Sequence, residues 1–89
     1  MEPTFRLISK RVVFDTDGNW IYIGTLVDVD NQYYYLSDAD AFDTSQVNIT
    51  KHEYLIRVKK DGLVVNRKNI IIPKNKVFAI TMLEDVVEG

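Results

Sequence analysis

The chain has 89 residues, a net charge of −2 and no cysteine, which predicts one small domain over residues 1–89 without disulfides or thiolate metal sites. The charge gives no general reason to expect nucleic acid, and no apolar run approaches the ~20 residues that a membrane-spanning helix needs. The first residues lack the basic and apolar stretches of a signal peptide, so we expect a cytoplasmic protein without membrane contact.

Charge is unevenly distributed along the chain. Residues 1–50 contain three basic and eight acidic side chains, whereas residues 51–76 contain eight basic and two acidic ones. Such a segment can mark a basic binding face, but solvated surfaces that help adjacent subunits attract each other are the favoured interpretation.

The first half of the chain predicts a short helix and three strands. Pro3–Ser9 begins with a proline suited to a first helical turn. Runs rich in β-branched and aromatic residues then predict strands at Arg11–Phe14, Trp20–Val29 and Tyr33–Ala41.

Turn residues separate these strands, at Asp17-Gly18-Asn19 and at Asp30-Asn31. The first turn has some oxygen ligands of a calcium loop, but Trp20 and Leu26 stand where such a loop requires Gly and Glu. Gly24, inside the second strand, predicts a sharp bend or a close backbone approach.

A helix is predicted after the third strand. Thr50 and Glu53 have the spacing of a capping box, and Gly62 suits the position after a helix end. We therefore predict a helix over Lys51–Asp61. The alternative is a hairpin in which Tyr54–Val58 is a strand.

Two further strands are predicted at Leu63–Ile72 and Val77–Leu83, joined by a tight turn at Pro73–Lys76. Glu84–Gly89 is predicted to be a frayed acidic end. Five consecutive bent strands predict a mainly β fold, a small closed or nearly closed antiparallel barrel. An apolar edge such as Asn69–Ile72 invites association, which predicts an oligomer.

Residues for catalysis are missing, so we expect no enzyme and no cofactor. Nucleophilic catalysis requires an activated Ser or Cys beside a base, and the single histidine, His52, is expected on the surface of the predicted helix. Carboxylates offer oxygen ligands to a hard cation, but their spacing is not diagnostic, and no metal site is predicted. The acidic residues of this alternative are Asp28, Asp30, Asp38, Asp40 and Asp43.

Binding of single-stranded nucleic acid is the remaining class of function. Arg67 and Lys68 supply two cations in or beside strand four, while the rings of Tyr34 or Phe42 are candidates for stacking on bases. Packing of the rings and solvation of the cations are the alternative explanations.

The chain resembles the Sm/LSm superfamily over nearly its whole length. The first motif is similar at Leu7–Val13, Gly18, Gly24-Thr25-Leu26, Asp30, Tyr33 and Leu36, and the second at Leu63–Lys68, Ile70–Pro73 and Val77–Ile80. The resemblance implies an N-terminal helix on a five-stranded bent barrel of the Sm-like, SH3-like type, with residues 51–61 as a helical insertion. It also implies a homo-oligomeric ring, in which strand four of one subunit pairs with strand five of the next, that binds single-stranded RNA.

The resemblance also implies which residues contact RNA. Asp30 matches the acidic residue of the family's base-binding loop, and Tyr34 occupies the position that is usually Asn. Arg67 matches the Arg of an Arg-Gly pair, whose Gly is replaced by Lys68. The predicted RNA-binding residues are therefore Asp30, Tyr34, Arg67 and Lys68. The alternative is a non-enzymatic oligomeric module of the same fold without RNA binding, in which Tyr34 and the inserted helix recognise a protein.

Overall fold

A computed structural model describes residues 3–88 of the protein. Five strands and one α-helix follow each other along the chain: β1 (Arg11–Thr16), β2 (Trp20–Val29), β3 (Tyr33–Asp43), α1 (Lys51–Asp61), β4 (Arg67–Pro73) and β5 (Val77–Met82). Short 3₁₀ turns occupy four further segments: Pro3–Leu7, Thr44–Gln46, Lys74–Lys76 and Leu83–Asp85. Within residues 3–88, no helix is long and apolar enough to cross a membrane.

The five strands form one bent antiparallel sheet in the order β4-β3-β2-β1-β5. Strands β1 to β3 are a meander, β4 returns along β3, and β5 crosses over to pair with β1. Within residues 3–88, β4 and β5 do not pair with each other. They are the two edges of the sheet, so the predicted five-stranded fold is confirmed while hydrogen bonding does not close it into a barrel.

The predicted inserted helix is confirmed, which excludes the hairpin alternative. Strand β2 likewise has its predicted bounds, and β1 and β3 each extend two residues beyond theirs. Thr50 is the N-cap of α1: its hydroxyl accepts from the Glu53 N–H at 3.0 Å, and the Glu53 carboxylate accepts from the Thr50 N–H at 3.3 Å. The capping box thus satisfies two donors that an uncapped helix leaves without partners.

The predicted start of strand four was wrong, because β4 begins at Arg67 rather than at Leu63. The backbone N–H of Asn66 donates to the Ala39 carbonyl at 3.0 Å. Its side-chain amide then pairs with both backbone groups of Ala41, accepting at 2.9 Å and donating at 3.1 Å. The Asn66 side chain therefore continues the hydrogen bonding to β3 beyond the residues of β4 whose backbone pairs with it.

The predicted frayed tail was also wrong for the residues that the structure describes. A 3₁₀ turn follows β5, and Val86 is buried. The ammonium group of Lys59 on α1 donates to the Val86 carbonyl at 2.6 Å. The tail is thus tied to the helix. Gly89, the last residue of the predicted tail, lies outside the described residues.

The predicted N-terminal helix is shorter than expected. It is a 3₁₀ helix over Pro3–Leu7 and does not reach Ser9. Leu7 and Ile8 pack against the sheet, whereas Phe5 is 48 % exposed.

Both faces of the sheet carry a core, because successive side chains of a strand point to opposite faces. Val12 and Phe14 belong to the first core, and Val13 between them belongs to the second. The first core also contains residues from β2, β3 and β4: Leu26, Val29, Tyr34, Leu36, Ala39 and Ile72. The second core lies under α1 and the tail and contains five further residues: Ile21, Ile23, Tyr54, Val58 and Val86.

The close backbone approach predicted at Gly24 is confirmed. A Cβ atom at this position would lie 2.8 Å from Ala39 Cβ and 3.2 Å from the Ser37 carbonyl oxygen. The register between β2 and β3 shifts here by one extra residue on β3, where Asp38 has a φ of 48°. Asp tolerates this left-handed conformation better than most residues, and the resulting bulge bends the sheet.

A polar network fixes α1 to the sheet. The hydroxyl of Tyr54 donates to the carboxylate of Asp40, whose other oxygen accepts from the Asn66 amide at 2.8 Å. The ring of Phe42 stacks on that of Tyr54 with centroids 4.0 Å apart. Burial, together with the hydrogen bond to Asp40, raises the pKa of the Tyr54 hydroxyl. The buried hydroxyl of Tyr54 and the buried carboxylate of Asp40 thus satisfy each other, as buried polar groups must, and the exposed Asn66 supplies a second donor.

Candidate nucleic-acid interface

Two turns meet at one end of the sheet. One joins β2 to β3 and the other, Lys74–Lys76, joins β4 to β5. They meet because β3 and β4 are paired so that Tyr33 lies opposite Pro73. The backbone N–H of Lys74 also donates to the Gln32 carbonyl at 2.8 Å. Residues 43 positions apart in sequence, Asn31 and Lys74, are thereby brought into one surface.

Asp30 shapes the turn between β2 and β3. One carboxylate oxygen accepts from the backbone N–H groups of Gln32 and Tyr33, at 2.8 and 2.7 Å. The other accepts from the Tyr35 hydroxyl at 2.5 Å. The side chain therefore holds the backbone in a turn, as aspartate commonly does, and it presents Gln32 and Tyr33 in a fixed position.

The same hydrogen bonds make the stability of this turn depend on pH. The Tyr35 hydroxyl, then the two backbone N–H groups, favour the ionised carboxylate and hold the pKa of Asp30 below its ordinary 3.8. The hydrogen bond to Asp30 correspondingly raises the pKa of Tyr35. A carboxyl with a lowered pKa stabilises the folded turn above the unfolded-state pKa, and this contribution is lost as the pH falls through the lower folded value.

We expect an NMR titration of the Asp30 carboxyl carbon to give a midpoint below 3.8. The amide resonances of Gln32 and Tyr33 should move with the same midpoint, because protonation weakens their acceptor. The Asp30→Asn variant is the control, in which this acid-dependent movement should disappear. A midpoint at or above the ordinary value would contradict the assigned hydrogen bonds.

Tyr34 lies beneath the two turns. Its side chain is 7 % exposed and belongs to the first core. Its ring centroid is 4.9 Å from that of Phe14 and 5.4 Å from the Lys74 ammonium group. Cations are attracted to the face of an aromatic ring, so Tyr34 helps to hold Lys74 over this end of the sheet.

An open cleft of ≈ 350 Å³ lies between the two turns. Its lining combines amide, aromatic and cationic side chains: Asn31, Gln32, Tyr33, Pro73, Lys74 and Asn75. Amides can donate and accept hydrogen bonds, aromatic rings stack on bases, and lysines attract phosphates. The cleft therefore has the groups that bind single-stranded nucleic acid.

The four residues predicted to contact RNA are not all brought together. Asp30 and Tyr34 lie at the two turns, whereas Arg67 pairs with Ala39, five residues further along β3 than Tyr34. At ~3.3 Å per residue this places the start of β4 roughly 17 Å from Tyr34. Arg67 and Lys68 are exposed there, and the Arg67 guanidinium donates to the Asn66 carbonyl at 3.0 Å.

Lys74, Gln32 and Asn75 were missed by sequence reasoning. The available signal was the predicted Pro73–Lys76 turn, which carries two lysines between apolar strands. The register of β4 against β3 decides whether Arg67-Lys68 or the two lysines of the Lys74–Lys76 turn face the β2–β3 turn. Sequence reasoning chose Arg67-Lys68 because that pair resembles the family motif more closely.

A larger cleft of ≈ 440 Å³ lies where β1 begins and β5 ends, and it too is lined by cations, Lys10, Arg11 and Lys59. The ammonium group of Lys59 is occupied there, since it donates to the carbonyls of Glu84 and Val86. This cleft has no aromatic lining. It is therefore a poorer match to a nucleic acid than the cleft between the turns.

The aspartates considered for a cation do not converge in the described part of the chain, where no group of three His, Cys, Asp or Glu is placed to hold a metal. Asp40 is engaged by Tyr54 and Asn66. Asp43 accepts from the hydroxyl and then the backbone N–H of Ser45, which lower its pKa. Each of these carboxylates thus has a local structural role.

No protein-family model and no curated protein sequence matches this chain. Its structure is similar to that of a Pyrococcus abyssii Sm protein determined in complex with a uridine heptamer. The TM-score is 0.61 and the sequence identity 20 %, and the match covers 92 % of this chain and 99 % of the Sm protein. With five antiparallel strands in one bent sheet and a short helix before the first of them, the chain adopts the Sm-like fold.

Proposed function

We propose that this protein is a non-enzymatic, cytoplasmic Sm-like protein that forms a ring of identical subunits and binds single-stranded RNA in the cleft between its two turns. The observation that carries the proposal is that Lys74 lies against the β2–β3 turn that Asp30 shapes. The fold is similar to that of an Sm protein whose structure was determined with a uridine heptamer. The RNA-contacting set is then Gln32, Tyr33, Lys74 and Asn75, with Asp30 and Tyr34 as their support.

The electrostatics of the cleft support an anionic ligand. Lys74 faces the site, and Lys76 follows in the same turn. The carboxylate oxygens of Asp30 already accept hydrogen bonds from three donors. A phosphate in the cleft would therefore be attracted by Lys74 and accept hydrogen bonds from the amide side chains that line it.

The edges of the sheet support the ring. In the described chain β4 pairs only with β3, and β5 only with β1. Two large apolar side chains stand exposed on these edges, Ile71 at 58 % and Phe78 at 78 %. Unpaired edge strands with exposed apolar side chains favour pairing with another chain. We therefore assign β4 of one subunit and β5 of its neighbour to the proposed interface.

Fluorescence anisotropy with labelled RNA tests the binding site. We expect the unchanged protein to bind single-stranded RNA at low salt, and the affinity to fall steeply as salt rises, because phosphate contacts release counterions. Lys74→Ala should weaken binding by roughly tenfold, the effect of losing about 1.4 kcal/mol from one charged contact.

Lys68→Ala is the matched control, since it removes the same charge from the other end of β4. Its effect on RNA affinity should be small. Thermal unfolding of both variants separates a binding effect from loss of the Lys74–Tyr34 contact. Equal losses in the two variants would place the RNA elsewhere, and absence of binding at low salt would refute RNA binding.

A protein-binding module of the same fold is the second candidate. It is favoured by a cleft of ≈ 450 Å³ on the exposed side of α1, lined by His52, Arg57, Lys60 and Glu88 among others. Helix α1 covers one face of the sheet through Tyr54 and Val58 and leaves these polar side chains outside. This candidate predicts a ring that shows no RNA affinity under the conditions above.

A further inference from the structure

The side chain at position 34 limits what the proposed RNA site can distinguish. Tyr34 is 7 % exposed, and its ring packs on Phe14 with centroids 4.9 Å apart. The ammonium group of Lys74 lies 5.4 Å from the same ring. With Phe14 and Lys74 against it, the ring belongs to the core beneath the cleft and does not offer a surface on which a base stacks.

The groups that remain in the cleft are adaptable. Asn31, Gln32 and Asn75 carry amides, each of which is both a donor and an acceptor. All three are exposed, so water satisfies them when a base does not. A site rejects a wrong base strongly only when the mismatch leaves buried polar groups unpaired. These exposed amides impose no such penalty.

Tyr33 is the aromatic side chain that the cleft does offer. It is 37 % exposed and lies opposite Pro73 in the β3–β4 pair. Stacking on an aromatic ring is tolerant of sequence, because every base has a π-face. The carboxylate of Asp30, a potential fixed acceptor for a base edge, is already engaged by three donors.

We infer that the cleft binds single-stranded RNA without selecting the base, and that Tyr34 is the reason, because its ring packs in the core beneath the cleft at a position where a buried polar side chain would reject a wrong base. This inference rests on the proposed function. Tyr33 stacks on any base, Lys74 attracts the phosphate, and the amides adjust to either edge pattern.

The test compares heptamers of uridine, cytidine and adenosine, matched in length to the RNA of the similar Sm protein, by anisotropy at one low salt concentration. We expect the three dissociation constants to agree within about threefold, as sequence-tolerant stacking and phosphate contacts require. Tyr33→Ala should weaken all three by about tenfold, the loss of one base stack. A preference of tenfold or more for one base overturns the inference while leaving RNA binding in place.

Tyr34→Asn tests the assigned residue directly. If it folds, as circular dichroism reports, we expect it to discriminate among the heptamers where the unchanged protein does not. A folded variant that still binds all three alike overturns the role given to Tyr34. Should this variant unfold, the comparison of the three heptamers and of Tyr33→Ala still decides base selection. Failure of every heptamer to bind the unchanged protein refutes the proposed function itself.

Discussion

Replacing Gly24 by alanine is expected to lower the free energy of unfolding by about 2 kcal/mol, the cost of forcing one extra methyl group into a close-packed contact. The new Cβ would lie 2.8 Å from Ala39 Cβ and 3.1 Å from Ala39 Cα. Neither is the flexible end of a side chain, so β2 and β3 must separate. Since small domains are stable by roughly 5–10 kcal/mol, this is a large part of the total, measurable by urea unfolding.

Gly18→Ala is the matched control for this prediction. Gly18 lies in the β1–β2 turn, and a Cβ there would meet nothing within 4 Å. We expect its effect to be within about 1 kcal/mol, as for substitutions at open sites.

The double variant Gly24→Ala/Ala39→Gly should regain part of the loss, because it removes the nearest clashing atom. The double-mutant cycle then gives a coupling energy of about 1 kcal/mol between the two positions, in the range expected for residues in contact. If Gly24→Ala were as stable as the unchanged protein, the close approach of the two strands would be wrong.

Replacing Phe78 by aspartate is expected to convert the proposed ring into monomers. Phe78 is 78 % exposed on β5 at a point where the pairing register with β1 shifts. An apolar side chain of this size gains about 2 kcal/mol from burial in an interface, and a buried unpaired carboxylate would add a further penalty. In a ring the change is repeated at every interface, so its effect on assembly is multiplied.

Multi-angle light scattering measures this outcome. At ~50 µM, assemblies with nanomolar-scale contacts persist, so the unchanged protein should have several times the monomer mass and Phe78→Asp the monomer mass. Ile71→Asp, on the opposite edge, should act alike. Val47→Asp is the control: Val47 is 49 % exposed but lies between β3 and α1, away from both edges. A monomeric unchanged protein at this concentration would exclude the ring.

The two predictions concern different levels of the structure. Gly24 acts within one subunit, where it sets the spacing of β2 and β3 under the bend. Phe78 acts between subunits, so Phe78→Asp should remove only the stability that assembly adds, which depends on protein concentration. Measuring both properties for both variants therefore shows whether the exposed edges serve assembly or only the fold.

Local signals in the sequence determined most of the elements. The capping box at Thr50 and Glu53 and the glycine after Asp61 define α1, because cap hydrogen bonds form between residues close in the chain. The long apolar run of β2, bounded by turn residues, likewise identifies its own limits. The resemblance to the Sm/LSm superfamily, read from the same residues, agrees with the Sm-like fold that the strand order and the similar structure show.

Long-range pairing decided what the sequence did not. The start of β4 depends on Asn66, whose amide pairs with Ala41 across 25 positions, and no local pattern reports such a contact. The order of the tail depends on Val86 fitting under α1. The sequence around Val86 is acidic, and it does not indicate that this side chain will be buried or which element will bury it.

The sequence determined one part of the candidate site and the tertiary structure the other. Sequence alone identified the Asp30 turn and the unusual tyrosine at position 34, since both stand in a short, recognisable segment. Only the tertiary structure decided that Lys74, and not Arg67 or Lys68, joins them. The reason is the β3–β4 register, which sets Tyr33 opposite Pro73 and Ala39 opposite Arg67: a strand's two ends are separated by its length, so pairing fixes which basic residues meet the turn.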